Sequence, residues 1–355
     1  MAPQSRKLAG DMKRSFSIIM RCDGDKEIGL GHVYRCLVLA RELRDHYSWV
    51  VLFAMSSGMA GISKVRDEFF PVNVKPEGIP EEVWLELLVN ELHPDALFFD
   101  IRTDLKREAI ERLKMNSSLV VTFDDASDRR LASDLAFYPP VPQARRLRWP
   151  HYKGQALIGW EWLLVQEEYY RPRSTHQNAV PRILVTMGGS DPANLTLLAI
   201  KALEMVDEKI TAVLVLGPAF SHDEEISDAL SKAKRSYEIH RNLPDLVEQG
   251  LHTDFAVAAF GGTAYEMAAM GVPTVLLGLT ADHAASAQCL ADIGLSLNLG
   301  ETSAVTPRKL AKAISEILQR PAWVVAVPEK ARKLFRTPGA QTMAKKIMQA
   351  VERIF

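Results

Sequence analysis

The residues best suited to chemistry stand where short apolar runs give way to glycine. The first such place reads Arg21-Cys-Asp-Gly-Asp-Lys-Glu-Ile-Gly29-Leu-Gly31-His32-Val-Tyr-Arg35. Glycines ahead of a helix let backbone N–H groups come close to a ligand, and the helix N-terminus offers unsatisfied donors and partial positive charge to an anion. His32 falls at that helix start, where an imidazole, with its intrinsic pKa of about 6.5, suits a general base near neutrality. Arg21, Asp23, Gly29, Gly31 and Arg35 surround it as candidate substrate contacts. The plain alternative is a tight turn with a capping histidine.

A second turn, Thr186-Met-Gly188-Gly189-Ser190-Asp191-Pro192, also precedes a helix. Gly188 and Gly189 leave room for a ligand beside Ser190. Ser190 or Asp191 can cap the helix, and Pro192 fits its first position. The third turn is Phe260-Gly261-Gly262-Thr263-Ala-Tyr265-Glu266. The amides of Gly261 and Gly262 and the Thr263 hydroxyl can hold a diphosphate, and Glu266 can accept from both hydroxyls of a ribose. Thr263 and Glu266 also have the spacing of an ordinary capping box. Asp124 and Asp125 follow an apolar run and could bind a substrate hydroxyl, hold a metal or cap a turn. Asp282 and His283 follow another run and face the same crevice, which makes His283 a further substrate contact. The remaining histidines show no ligand spacing, so no metal and no cofactor are expected.

These residues need a frame that brings strand ends together. Phe16–Arg21, Trp49–Ala54, Ala96–Asp100 and Leu119–Phe123 read as strands, alternating with helical stretches at His32–His46, Pro80–Leu92 and Asp104–Met115. The alternation restarts at Arg182–Met187 and continues to a last helix at Gln341–Ile354. Alternating strands and helices argue for parallel sheets, and ligands of such sheets bind at the C-terminal ends of the strands. The expected division is an N-terminal extension over 1–15, an α/β domain over 16–170, a linker over 171–181, a nucleotide-binding domain over 182–340 and a final helix over 341–355.

Composition sets the limits. A chain of 355 residues is natural for two domains of ~150. With 43 basic and 44 acidic residues, a general polyanion binder is not indicated. The basic-aromatic stretch over 145–162 reads as an interdomain wall or solvated face rather than an RNA site, so no nucleic-acid partner is expected. No apolar run reaches the ~18 residues of a membrane span. Residues 1–14 are basic without an apolar core, which reads as an extension, not a secretory signal. Three scattered cysteines suggest a reducing cytoplasm. Neither a P-loop pattern nor Gly-X-Gly-X-X-Gly is present. Oligomeric state is not legible.

The run from Arg21 to Leu37 resembles the N-terminal signature of PseG-type hydrolases. These act on UDP-2,4-diacetamido-2,4,6-trideoxy-β-L-altropyranose in pseudaminic acid synthesis and are related to the spore-coat polysaccharide SpsG proteins. Val121–Asp125 and Ile183–Pro192 are similar to later parts of that family. Gly261–Glu266 followed by Gly271-Val-Pro273 resembles the nucleotide motif of MurG-like glycosyltransferases. The resemblance implies a GT-B fold, two Rossmann-like domains facing each other across an active-site cleft. It also implies a sugar nucleotide as the small-molecule partner, with UDP held by the C-terminal domain, and a histidine at position 32 that activates water for attack at the anomeric carbon. One departure stands out. Where the family and its MurG-like relatives usually carry Asn-Gln, this chain has Asp282-His283-Ala284, which leaves the sugar open. A glycosyltransferase and a non-catalytic sugar-nucleotide-binding module are the competing readings.

Overall fold

The computed structural model describes residues 15–25, 29–56, 58–114, 118–171, 178–319 and 322–354. All of the expected N-terminal extension but Ser15, most of the expected linker, and Lys26, Glu27 and Ile28 of the first glycine turn lie outside the described residues.

The first half contains β1 (Ser17–Cys22), α1 (Gly31–Tyr47), β2 (Val50–Met55), α2 (Met59–Asp67), β3 (Val72–Val74) and α3 (Glu81–Leu92). It continues through β4 (Ala96–Asp100), α4 (Arg107–Lys114), β5 (Leu119–Phe123), β6 (Leu135–Tyr138), α5 (Pro142–Arg146) and β7 (Gln155–Ile158). All strand pairings in this half are parallel, in the order β3-β2-β1-β4-β5-β6-β7. The central strands carry almost unbroken apolar runs, such as Ala96-Leu-Phe-Phe and Leu119-Val-Val-Thr-Phe, because helices cover both faces. In α1, Val33, Cys36, Leu37, Ala40 and Leu43 recur at helical spacing and are buried on one face. Ser48, in the left-handed region at φ 58°, ends that helix and returns its N–H to Arg44 and Leu43.

The second half repeats the plan. Its elements are β8 (Arg182–Thr186), α6 (Leu195–Leu203), β9 (Thr211–Leu216), α7 (Asp223–Ser231), β10 (Tyr237–Arg241), α8 (Val247–Leu251) and β11 (Phe255–Ala259). Then come α9 (Gly262–Met270), β12 (Thr274–Gly278), α10 (Ala281–Asp292), β13 (Ser296–Glu301), α11 (Pro307–Gln319), α12 (Ala322–Leu334) and α13 (Gly339–Val351). The sheet order is β10-β9-β8-β11-β12-β13, again parallel. Each sheet therefore reverses direction at one place, between β1 and β4 in the first and between β8 and β11 in the second. Crevices open at such reversals, outside the carboxyl ends of the strands. The three glycine turns follow β1, β8 and β11, so the topology delivers each of them to a reversal.

The chain crosses between the halves twice. The first crossing comes earlier than the expected linker: Leu163, Val165 and Tyr169 already pack in the second core beside Leu184 and Val213. Their apolar side chains require burial, whereas the polar composition after Tyr170 only resembled a hinge. The return is α13, whose Met343, Ala344, Ile347 and Val351 lie in the first core with Leu37 and Phe137. The crossings touch: a Cβ on Gly339 would fall 2.0 Å from the Leu163 carbonyl oxygen, and the Gly339 N–H donates to Tyr170 Oη at 3.2 Å.

Candidate active site

His32 stands in the first turn of α1 and Asp100 is the last residue of β4. The β1–β4 reversal brings them together. His32 Nδ1 lies 2.7 Å from Asp100 Oδ1. Arg35, one turn further along α1, donates to the same carboxylate from Nε and from Nη2, the latter at 2.5 Å. Asp100 is 0% exposed. Burial alone would raise its carboxyl, but Arg35 and the hydrogen bonds from Arg35 and His32 outweigh burial and hold it well below the usual carboxylate range. An ionised carboxylate can only accept, so Nδ1 of His32 donates to it, and in the neutral ring that tautomer leaves the lone pair on Nε2. That is the state a general base requires. Asp100 was not among the expected site residues, because from the sequence it only terminates an apolar strand.

Arg35 and Asp124 join this cluster as expected contacts. The Arg35 guanidinium also lies over Phe123, 5.0 Å from the ring centroid. Asp124 follows β5 at a left-handed φ of 50°, a conformation that costs a non-glycine residue energy and recurs at functional sites. Arg102, another residue the sequence did not flag, donates to the Asp124 backbone oxygen and to Oδ2, each at 2.9 Å. Arg35 Nη2 is 3.9 Å from the same carboxylate. Asp125 instead faces inward, accepting from Arg129 Nε at 2.9 Å and from the Ser127 N–H at 2.8 Å, so it braces a turn.

Arg21 and Asp23 need correction. Both were expected to contact substrate, yet Arg21 is 0% and Asp23 6% exposed. Arg21 is committed to Glu81 at 2.8 Å, Asp23 at 2.7 Å and Ser56 Oγ at 2.8 Å, with Trp84 under its guanidinium. Asp23 accepts from the N–H and the hydroxyl of Ser56, each at 2.7 Å. The pair ties the end of β1 to β2 and α3.

The second glycine turn is open but its helix is not. The helix starts at Leu195 rather than Pro192, and Asp191 accepts from the Leu195 and Thr196 N–H groups at 2.7 and 2.9 Å. Asp191 therefore caps the helix, and those donors are closed to an outside anion. Gly188 takes φ 81°, which favours glycine, while Ser190 is exposed.

The third turn is different. Helix α9 begins at Gly262, with Gly261 as its N-cap and no side-chain cap. Thr263 is thus inside the first turn, too late to be the N-cap of a capping box. At Gly31, Gly189, Gly261 and Gly262 no atom lies within 4 Å of a would-be Cβ and φ is outside the left-handed region. Neither backbone conformation nor packing demands glycine there. What glycine preserves is room above the turns. The half-buried Glu266 follows on the same helix. Burial and the nearby Asp245 push its carboxyl up to about 7, against the hydrogen bond from Thr263. His283, in the first turn of α10, sits 5.9 Å from the Phe260 ring, and its Nδ1 is buried without a hydrogen-bond partner. Gln143 of α5 joins the halves beside it, donating to the Asp282 carbonyl at 3.0 Å and accepting from Ser286 Oγ at 3.2 Å. Among the described residues no group of His, Cys, Asp and Glu side chains converges as a metal site, and no helix is long and apolar enough to cross a membrane.

No protein-family model matches the chain. It is 26% identical to SpsG of Bacillus subtilis, a spore coat polysaccharide biosynthesis protein, over 303 residues covering 83% of this chain and 87% of SpsG. An uncharacterized protein of Methanocaldococcus jannaschii is also 26% identical, over 271 residues. That match covers 72% of this chain and 54% of the archaeal protein, so the chain spans about half the length of this relative. Among solved structures, MurG of Acinetobacter baumannii superposes with a TM-score of 0.70 at 16% identity, covering 94% of this chain and 99% of MurG. Anabaena HepE in complex with UDP-glucose superposes with a TM-score of 0.61 at 14% identity, covering 95% and 99%. The fold of the chain is the GT-B fold of these glycosyltransferases.

Proposed function

We propose that the chain hydrolyses a UDP-linked amino or deoxy sugar at its anomeric carbon, releasing UDP and the free sugar for pseudaminic-type acid or other surface-glycan synthesis. One observation carries the reading. His32 is locked by its Nδ1 onto the ionised Asp100, which leaves Nε2 as a free base at the reversal of the first sheet. In this scheme water attacks the anomeric carbon while Nε2 takes its proton. The bond from the anomeric carbon to the diphosphate oxygen breaks, the electron pair leaves with UDP, and direct attack inverts the carbon. Asp100 stabilises the imidazolium that forms. UDP is a good leaving group, so the main need is to stabilise negative charge on the diphosphate. The uncapped first turn of α9 and the Thr263 hydroxyl can meet it without a metal. Glu266 would hold the ribose, and His283 and Asp124 the sugar.

The structural neighbours are transferases, and the same base could take a proton from an acceptor hydroxyl instead of water. Incubation with a panel of UDP-sugars, with chelator and without acceptor, separates the two. Stoichiometric UDP and free sugar at enzyme-like rates support hydrolysis. UDP release that waits for an added acceptor supports transfer.

A further inference from the structure

The base stands near one end of a row of charged side chains. Asp100 lies buried behind His32, and Arg35 carries the row outward: its Nη2 is 3.0 Å from His32 Nδ1 and 3.9 Å from Asp124 Oδ2. Arg102 ends the row, with Nη2 2.9 Å from that same oxygen. These distances set Asp124 and Arg102 beside the base. Exposure rises along the row. The Asp124 side chain is 32% and the Arg102 side chain 47% exposed, so the outer pair is open to a ligand.

Strand order gives the place where it opens. His32 follows β1, Arg102 follows β4 and Asp124 follows β5, which are neighbours in the first sheet. Next in that order comes β6, and α5 after it already meets the second half through Gln143 on Asp282 and Ser286. The pair therefore occupies the strand ends between the base and a point where the halves touch. Stability does not account for it, because an ion pair this exposed contributes little. Yet Asp124 is kept at φ 50°, its N–H donating to the Phe137 carbonyl and its own carbonyl accepting from Arg102 Nη1, each at 2.9 Å. Strain held in place by a contact that stabilises so little points to a ligand. Oδ1 of Asp124 and Nε of Arg102 make no hydrogen bond to a described residue. A carboxylate accepts, a guanidinium donates, and a hydroxyl does both, so the two groups side by side match a single hydroxyl.

We propose that Arg102 and Asp124 form a specificity pair that binds one ring hydroxyl of the sugar beside the base, with Asp124 accepting from the hydroxyl and Arg102 donating to its oxygen. The inference rests on the sugar-nucleotide reading above. It holds whether water or an acceptor attacks.

Arg102→Met is the test, because methionine removes every donor and keeps much of the apolar stem. The probes are the best UDP-sugar and analogues of it that each lack one hydroxyl. Melting should fall by no more than a few degrees, and UDP, which has no sugar to place there, should bind within about twofold of wild type by calorimetry. In wild type, loss of the hydroxyl that is read should lower kcat/KM for UDP release by about tenfold or more, the effect of a hydrogen bond to a charged group. The variant should show a similar loss on the intact sugar, and removing that same hydroxyl should then cost it less than about threefold. Loss of any other hydroxyl should affect variant and wild type alike. If every deoxygenation costs the variant as much as it costs wild type, the inference is overturned while the function stands. Weakened binding of UDP itself, with melting unchanged, also overturns it, since Arg102 would then serve the diphosphate. If the wild-type protein neither binds UDP nor releases it from any UDP-sugar, the functional reading fails first and the specificity pair falls with it.

Discussion

Asp100→Asn is a small change with a large expected effect. The carboxylate serves four donors: His32 Nδ1 and Arg35 Nη2 on Oδ1, and Arg35 Nε and the Cys36 thiol on Oδ2. An asparagine must present an NH2 group to one of those pairs. If it faces His32, the imidazole has to accept at Nδ1 and protonate Nε2, which removes the lone pair that the chemistry uses. The corresponding change in serine-protease triads costs about 10⁴ in kcat, and loss of general-base catalysis costs roughly 10²–10⁴. We therefore expect UDP release from UDP-sugars to fall by at least about a hundredfold, with UDP affinity within a few-fold. Stability should fall as well. Breaking a buried ion pair costs about 3–5 kcal/mol, but the Arg35 side chain is 23% exposed and Asp124 is near, so a loss somewhat below that range, roughly 2–3 kcal/mol by urea titration, is expected. The pH dependence follows in sign. The native carboxyl sits below its unfolded value of 3.8, so wild type binds fewer protons folded than unfolded and loses this stability as pH falls below about 4. The variant should lack that loss. Turnover within threefold of wild type would refute the reasoning, and so would a loss of UDP binding as large as the loss of rate.

Glu266 makes a prediction of the opposite sign. Its native carboxyl is raised to about 7, so the protein free of nucleotide should lose stability as pH rises from about 4.5 through 7, by roughly 1–3 kcal/mol for a half-buried group. Ribose hydroxyls donate to the ionised form, so affinity for a UDP-sugar should rise over the same range, and Glu266→Gln should flatten both profiles; a variant with unchanged profiles would remove Glu266 from the nucleotide site. Arg21→Met should cost about 3–5 kcal/mol, because it leaves Asp23 and Glu81 without their shared cation, while UDP binding by the folded fraction stays unchanged. Specific loss of substrate affinity with stability intact would return Arg21 to the cleft.

The parts of the site that were legible in the sequence lie within single turns. Glycine before a helix, with His32 or Thr263 just after it, is a local pattern, and the three turns all reached a sheet reversal. Asp100 was not legible, because its partnership with His32, 68 positions away along the chain, depends on β1 and β4 being neighbours. Arg21 was misread for a reason of period two. Ile18, Met20 and Cys22 point to the α1 face of the sheet, while Ile19 points to the α3 face with Trp84. Arg21 shares the parity of Ile19, and Trp84 and Glu81 are what it meets there. Of the missed strands, β3, β7, β10 and β13 are edges, and β6 is interior. In β7 and β10 most residues are exposed or half-exposed, so they lack the apolar run that marks a central strand. Helix α12 was hidden by Pro328 in its interior, which ordinarily argues against a helix. The pair Thr263 and Glu266 had capping-box spacing, but only the observed start of α9 at Gly262 could show that it is not one.

His32→Asn in single-turnover experiments at saturating UDP-sugar isolates the step assigned to this residue. The variant should melt like wild type and bind UDP within a few-fold, and its cleavage rate should fall at least about a hundredfold, the low end for loss of acid–base catalysis. Cleavage within a few-fold of the wild-type rate would contradict the assignment of His32 as the base and leave His283, whose buried Nδ1 has no hydrogen-bond partner, as the imidazole to test next.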